Sequence, residues 1–195
     1  MPEPFTREQR LLHAARTNDR ATLERALALG VSVEAKDDLG RSALLLAARD
    51  ARSLDLVRFL HEQGAAIDEP DVGGRTALSW AATRGDLAIV EYLVAEGAEV
   101  DRRDAHARTP LFYAAIANHA QVVSFLAARG AEVDATGRFD ETPLIGACAK
   151  QADAAARRLL ELGADPSRVD ARGRSGRDRA RGGSPACLEA APPGS

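Results

Sequence analysis

The sequence predicts an all-α solenoid of helix–turn–helix units joined by β-hairpin loops. Three observations carry that expectation. Gly30, Gly64, Gly97, Gly130 and Gly163 recur every 33 or 34 residues, each closing a similar run: RALALG, RFLHEQG, EYLVAEG, SFLAARG and RLLELG. A second ruler has the same period: LLHAA at 11–15, LLLAA at 44–48, LSWAA at 78–82, LFYAA at 111–115 and LIGAC at 144–148. The composition fits as well, because 40 alanines and only eight aromatics in 195 residues suit short helices packed closely. One supersecondary unit has been copied five times, and neither helix of a unit could bury its apolar face without its neighbours.

Each element has a local cause. Thr109-Pro110 and Thr142-Pro143 pair an N-cap with proline at the first helical position, and Thr76 and Ser42 cap the same helix without proline. The Leu-x-x-Ala-Ala stretch places its apolar residues on one side of a short inner helix. Gly85 breaks that helix and Asp86 can cap the next, where Ile89, Val90 and Leu93 recur at helical spacing. Gly97 ends it as a left-handed cap. About a dozen residues rich in Asp, Gly and Arg follow in each unit, which suits an extended hairpin. The units run at about 7–39, 40–73, 74–106, 107–139 and 140–172, giving a repeat domain over 1–170. The first carries polar Arg20 and Glu24 at outer positions, as a terminal cap must. The second has one extra residue between Ala48 and Val57, so its inter-helix turn should bulge. Residues 171–195 read as a degenerate half-cap and flexible tail, with Arg177 where leucine belongs and little second helix in SPACLEAAPPGS.

Composition excludes several classes. At 45% hydrophobic the chain is too apolar and regular to be disordered through most of its length. Two cysteines do not make a disulfide scaffold. No apolar run approaches the roughly 20 residues that cross a bilayer, and a net charge of −3 gives no overall reason to expect nucleic acid. The start, MPEPFTREQR, lacks the apolar core of a secretory signal, so the expected location is cytoplasmic, with Cys148 and Cys187 as free thiols in a reducing compartment. The joint excess of arginine (24 against two lysines) and alanine reads as a GC-rich genome.

The segments GRTALSWAATRGDLAIVEYLVAEGAEVD (74–101) and ARTPLFYAAIANHAQVVSFLAARGAEVD (107–134) resemble the ankyrin repeat, and the resemblance covers about residues 7–170. It implies a rigid module that binds partners through hairpin tips and the exposed face of the inner helices, as one concave strip. Two departures stand out. The family's histidine after leucine, which ties hairpin to helix, is replaced by Leu12, Leu45, Ser79, Phe112 and Ile145. The asparagine after the hairpin valine is replaced by Glu34, Asp68, Asp101, Asp134 and Ser167.

Catalytic and metal chemistry find little support. The four histidines, His13, His61, His106 and His119, form no HExxH pair, and no CxxC occurs. Cys148 stands at the second alanine of its Ala-Ala pair, as a small packing residue. GRSGRDRARGG is glycine-rich but lacks the spacing of a P-loop. No catalytic residue, cofactor or metal is expected. Arg168, Arg172, Arg174, Arg177, Arg179 and Arg181 against Asp170 and Asp178 give 168–181 a surplus of four positive charges, which could contact an anionic partner, but no aromatics interleave for base stacking. Trp80 and Tyr113 share one register and invite a small-ligand or enzymatic reading, although rings there serve packing between inner helices.

The surface pattern says more. Leu39 and Arg41, then Val72 and Arg75, then Arg103, His106 and Arg108, then Arg138, Phe139 and Glu141 fall on hairpin tips, and Arg84 and Ile116 lie late in inner helices. One apolar residue per unit with arginines between resembles an interface with apolar anchors and Arg contacts. The expected function is therefore non-catalytic binding of a protein partner. Leu39, Val72, Ile116 and Phe139 would be the anchors, and Arg75, Arg84 and Arg108 would give orientation. A free-standing adaptor, or an immunity-type inhibitor of an enzyme or toxin, is the concrete form, and polar caps suggest a monomer with no membrane contact.

Overall fold

The computed structural model describes residues 5–180 and 185–189. Among the described residues there are twelve short α-helices and no strands, only isolated bridges between Lys36 and Ser42 and between Val169 and Ser175. The loops expected to be extended hairpins are tight turns held by one or two backbone pairs. The chain forms two compact units, Met1–Ala81 with Ala88–Ala98, and Ala82–Leu87 with Glu99–Ser195.

In the first unit, α1 (Arg7–Thr17) opens on a capping box in which Thr6 and Gln9 bond each other's backbone N–H, and Asp19 caps α2 (Arg20–Ala28). Three bonds thus satisfy N–H groups that helix starts leave orphaned. The expected bulge appears after α3 (Ala43–Leu46), where the chain runs into a π-helical turn, Ala47–Ala51, closed by Arg52 at φ 52°. A wider turn absorbs the extra residue without breaking the apolar register, so Ala47, Ala48 and, beyond it in α4 (Leu54–Glu62), Leu56, Val57 and Leu60 all stay buried. The rest of the unit takes in most of α5 (Ala77–Arg84) and α6 (Leu87–Ala95), whose Ile89, Val90 and Leu93 are buried as their spacing required.

In the second unit Thr109 and Thr142 cap α7 (Pro110–Ile116) and α9 (Pro143–Ala149), each accepting from the N–H three residues on, with proline at the first helical position. Outer helices α8 (Ala120–Ala128) and α10 (Asp153–Glu161) back onto them. Ala114, Ala115, Ala147, Ala155 and Ala156 are wholly buried. The alanine excess of the sequence is in part this seam of small side chains, which lets backbones approach. Burying each larger member, such as Leu111 or Leu126, contributes about 1.5–3 kcal/mol.

The carboxyl end corrects the sequence reading twice. The described residues beyond Asp170 carry two short helices where a half-cap with little second helix was expected: α11 (Gly176–Arg179) starts on a Ser175/Asp178 capping box and packs on α9, while α12 (Pro185–Glu189) packs on α10. The tail expected beyond residue 189 lies outside the described residues. Cys148 and Cys187 are not free thiols. They are joined in a disulfide between α9 and α12, 39 residues apart in sequence with Cα atoms 5.8 Å apart. Gly176 makes the room, since a Cβ there would sit 3.1 Å from the Cys148 sulfur. In the chain-entropy account a loop of this length contributes about 4 kcal/mol. Disulfides persist in oxidising surroundings, so the expectation of a reducing compartment loses the support it took from free thiols. No helix among the described residues is long and apolar enough to cross a membrane.

Candidate protein-binding surface

The hairpins are built around one carboxylate each. In four of them an aspartate at the first position accepts the backbone N–H groups two and four residues on. Asp37 Oδ1 takes Leu39 and Arg41, Asp71 takes Gly73 and Arg75, Asp104 takes His106 and Arg108, and Asp170 takes Arg172 and Arg174, all at 2.8–3.1 Å. The turn closes by backbone bonds from the fourth residue to the first carbonyl, as in Gly40 to Asp37 and Ala107 to Asp104. This is an Asx-turn, in which the side chain satisfies donors the turn would leave bare.

The second carboxylate oxygen ties the hairpin to the helix that follows. Asp71 Oδ2 accepts from Trp80 Nε1 at 3.1 Å, and Asp104 Oδ2 from the Tyr113 hydroxyl. Asp170 Oδ2 accepts from Arg174 Nη2 at 2.9 Å and pairs with Arg179 at 3.5 Å. Asp37 is held by Arg41 alone, Nε at 2.7 Å. In three of these four hairpins a donor nine residues after the aspartate, Trp80, Tyr113 or Arg179, does the work of the missing histidine. Burial pushes the Asp170 carboxyl up, but the Arg174 side chain and the N–H groups of Arg174 and Arg172 outweigh it and hold it at about 2.

The hairpin at 137–141 departs from this plan. Gly137 has no carboxylate to offer, and nine residues on stands Gly146, with no donor. Glu141, at the position of the hairpin arginine elsewhere, folds back instead. Its Oε2 accepts from Phe139 N–H at 2.9 Å, and its Oε1 accepts from Arg108 Nε and Nη2 at 3.1 and 2.9 Å. A Cβ at Gly137 would meet the Glu141 carboxylate at 2.8 Å. Gly146 is needed too: a Cβ would lie 2.8 Å from Ile116 and 3.0 Å from the Phe112 ring. Above these three residues opens a recess of about 480 Å³, with Phe139 and the hairpin at 170–174 on its sides.

The repeats are also laced by carboxylates where the family's asparagine was missing. Glu34 accepts from Ala66 N–H, Asp101 from Glu132 N–H and Asp134 from Asp165 N–H, at 2.7–3.0 Å. Backbone bonds join hairpin tips one repeat apart: Val72 N–H to Leu39 C=O, Arg138 to His106, and Ala171 to Phe139.

The same periodic plan is what a model of ankyrin repeats in three copies detects, matching residues 11–104 and 103–170. The chain belongs to the ankyrin-repeat family. Curated proteins, by contrast, gave no match to it. Ankyrin repeats are generally protein–protein interaction modules, and the family is typically non-catalytic.

Within this ankyrin framework the anticipated site residues divide. Leu39, Val72 and Phe139 are 50%, 72% and 59% exposed, large apolar side chains standing at hairpin tips. Ile116 is half-buried against Gly146, while Arg84, Arg138 and His106 are exposed. Arg41, Arg75, Arg103 and Arg108 are engaged in structure. Arg41 grips Asp37, and Arg75 lies 3.5 Å over the Trp80 ring, whose centroid is also 4.4 Å from Arg49. Arg103 donates to the Ala107 and Thr136 carbonyls, and Arg108 holds Glu141. Glu141 is corrected outright as a surface contact: it is only 7% exposed and braces its own turn.

The remaining ankyrin-repeat features fall into place as framework. Trp80 and Tyr113, raised as a ligand platform, donate to hairpin aspartates. His119 Nε2 donates to the Thr83 carbonyl, 3.1 Å away, and the ring fills the space over Gly85. His61 bonds the Tyr92 hydroxyl at 2.9 Å. In the arginine-rich stretch, Asp170 draws in both Arg174 and Arg179, and Arg181 lies outside the described residues. The signal that sequence reasoning missed was present throughout: Asp-x-x-x-Arg at 37–41, 71–75, 104–108 and 170–174, inverted to Gly-x-x-x-Glu at 137–141.

Proposed function

We propose that the chain is a non-catalytic binder of a protein partner, engaging it through the hairpin tips and the exposed faces of the inner helices. The observation that carries this reading is the placement of Leu39, Val72 and Phe139. Exposed single apolar residues are ordinary, but these three stand at hairpin tips on turns braced by carboxylates, half-buried at Asp37 and Asp71 and buried at Glu141. A tip held by three or four hydrogen bonds loses little freedom when a partner covers it. Large apolar side chains on such a mount fit the anchor role, with Arg84, Arg138 and His106 as polar contacts around them. A binder of this kind occludes the face it covers, so inhibition of an enzyme or toxin is its working form.

The test uses a triple substitution, Leu39→Ala, Val72→Ala and Phe139→Ala, in the intact chain. All three side chains are exposed, so the melting temperature should move by only about 2 °C. Quantitative capture from the source cell's extract should fall about tenfold or more for the true partner. Capture of the same proteins in the same amounts by both forms would remove the tips from the site. Arg108 is a poor choice for this test because its loss would expose the Glu141 turn.

A further inference from the structure

We infer that the recess in the second unit seats an acidic peptide segment of the partner, with one apolar side chain lying on Phe112 and Ile116 over Gly146 and its flanking carboxylates held by Lys150 and Arg172. The inference rests on the protein-binding reading above and supplies the partner's chemistry.

The floor is apolar by construction. In the neighbouring repeats the position of Gly146 carries Trp80 or Tyr113. Here it carries no side chain, so the Phe112 ring and the Ile116 methyl close directly on the α9 backbone, and the volume above them stays open. About 480 Å³ accommodates a leucine- or phenylalanine-sized side chain together with part of its backbone.

The rim decides the charge of the occupant. Five cationic side chains line the recess against two carboxylates, Glu141 and Asp170. Both carboxylates are already committed. Glu141 serves Arg108 and its own turn, and Asp170 serves Arg174, Arg179 and two backbone N–H groups. A surplus of three positive charges therefore faces one opening in a chain whose net charge is −3. Lys150 ends α9 and Arg172 sits in the 170–174 turn, both exposed at the edge of the opening. A cationic rim around an apolar floor complements an apolar residue with acidic neighbours: the charges steer and orient, and the buried side chain supplies the affinity. The apolar floor favours a peptide over a nucleic acid, since phosphate binding would leave Phe112 and Ile116 unused.

The experiment measures fluorescence anisotropy of labelled pentapeptides with the intact chain. One probe is a leucine flanked by paired aspartates. The others replace the aspartates by asparagines, or the leucine by glycine. The acidic leucine peptide should bind about tenfold more tightly than either control, and its affinity should fall as salt rises. Two variants locate the site. Lys150→Glu with Arg172→Glu should weaken that peptide about tenfold or more without unfolding, because both side chains are exposed. Ala149→Trp should block the recess without touching the rim charges. Equal binding of the acidic and asparagine peptides, equal binding by both variants, no binding of any peptide, or preferred binding of a single-stranded oligonucleotide would each overturn the proposal. Phe139 borders the recess, whereas Leu39 and Val72 do not line it, so capture by Leu39→Ala with Val72→Ala tests the protein-binding reading apart from the acidic-segment inference.

Discussion

In the hairpin at 104–108 the carboxylate comes from the first residue, Asp104, and the basic residue, Arg108, from the last. In the hairpin at 137–141 the first residue is Gly137 and the carboxylate comes from the last, Glu141. Both turns have the same backbone closure, with the first N–H donating to the last carbonyl at 2.9–3.1 Å. What the turn requires is a carboxylate at one point in space, and either end of the turn can deliver it. The consequences differ at the helix. Asp104 has an oxygen left for Tyr113, whereas Glu141 spends its second oxygen on Arg108, so the position of Tyr113 in the next repeat is free to be glycine. The exchange of one carboxylate thus opens the recess nine residues away.

That comparison can be broken most severely at Gly137. Gly137→Asp places a second carboxylate against Glu141 and should cost about 3 kcal/mol, read as a lowered urea midpoint. Adding Glu141→Arg restores the Asp-x-x-x-Arg plan and should recover most of the loss. A double variant no more stable than Gly137→Asp alone would disprove the exchange. Tyr113→Phe tests the other side. It leaves a buried Asp104 oxygen without its donor and should cost about 1–2 kcal/mol, while the same measurement on the recess peptide should show no change. The hairpin at 170–174 adds pH. The Asp170 carboxyl lies at about 2, below the ordinary 3.8. Its contribution is complete above the ordinary value and is lost as pH falls through about 2. Melting temperature should therefore drop between pH 4 and 2 more steeply in the native chain than in Asp170→Asn. The smallest effect is expected at Ala107, which holds φ +58° where Gly40, Gly74 and Gly173 stand in other hairpins. Ala107→Gly should stabilise by about 0.5–1 kcal/mol, relieving left-handed strain. A loss of stability there would show that the strain is absent.

The repeat plan could be read from the sequence because periodicity survives in one dimension. Helix caps at Ser42, Thr109 and Thr142, the glycine terminators and the inserted turn after Ala48 all depend on residues within a few positions of each other. The tips Leu39, Val72 and Phe139 were visible for the same reason. What stayed hidden depends on pairs a repeat or more apart. Glu141 looked like a surface charge because its partner, Arg108, is 33 residues away. Gly137 and Gly146 look unremarkable singly and gain meaning only as a missing acceptor and a missing donor, respectively. The cysteines were misread because their pairing needs α12, a helix with almost no pattern of its own.

That pairing also sets the order in which the molecule comes apart. Linear repeat proteins open from their ends, because a terminal repeat has a neighbour on one side only. With Cys148 fastened to Cys187, the last turn of chain cannot peel from α9. Within the second unit α12 can therefore leave only together with α9. A reductant removes that tether and frees α12 beside the residues proposed to hold the partner.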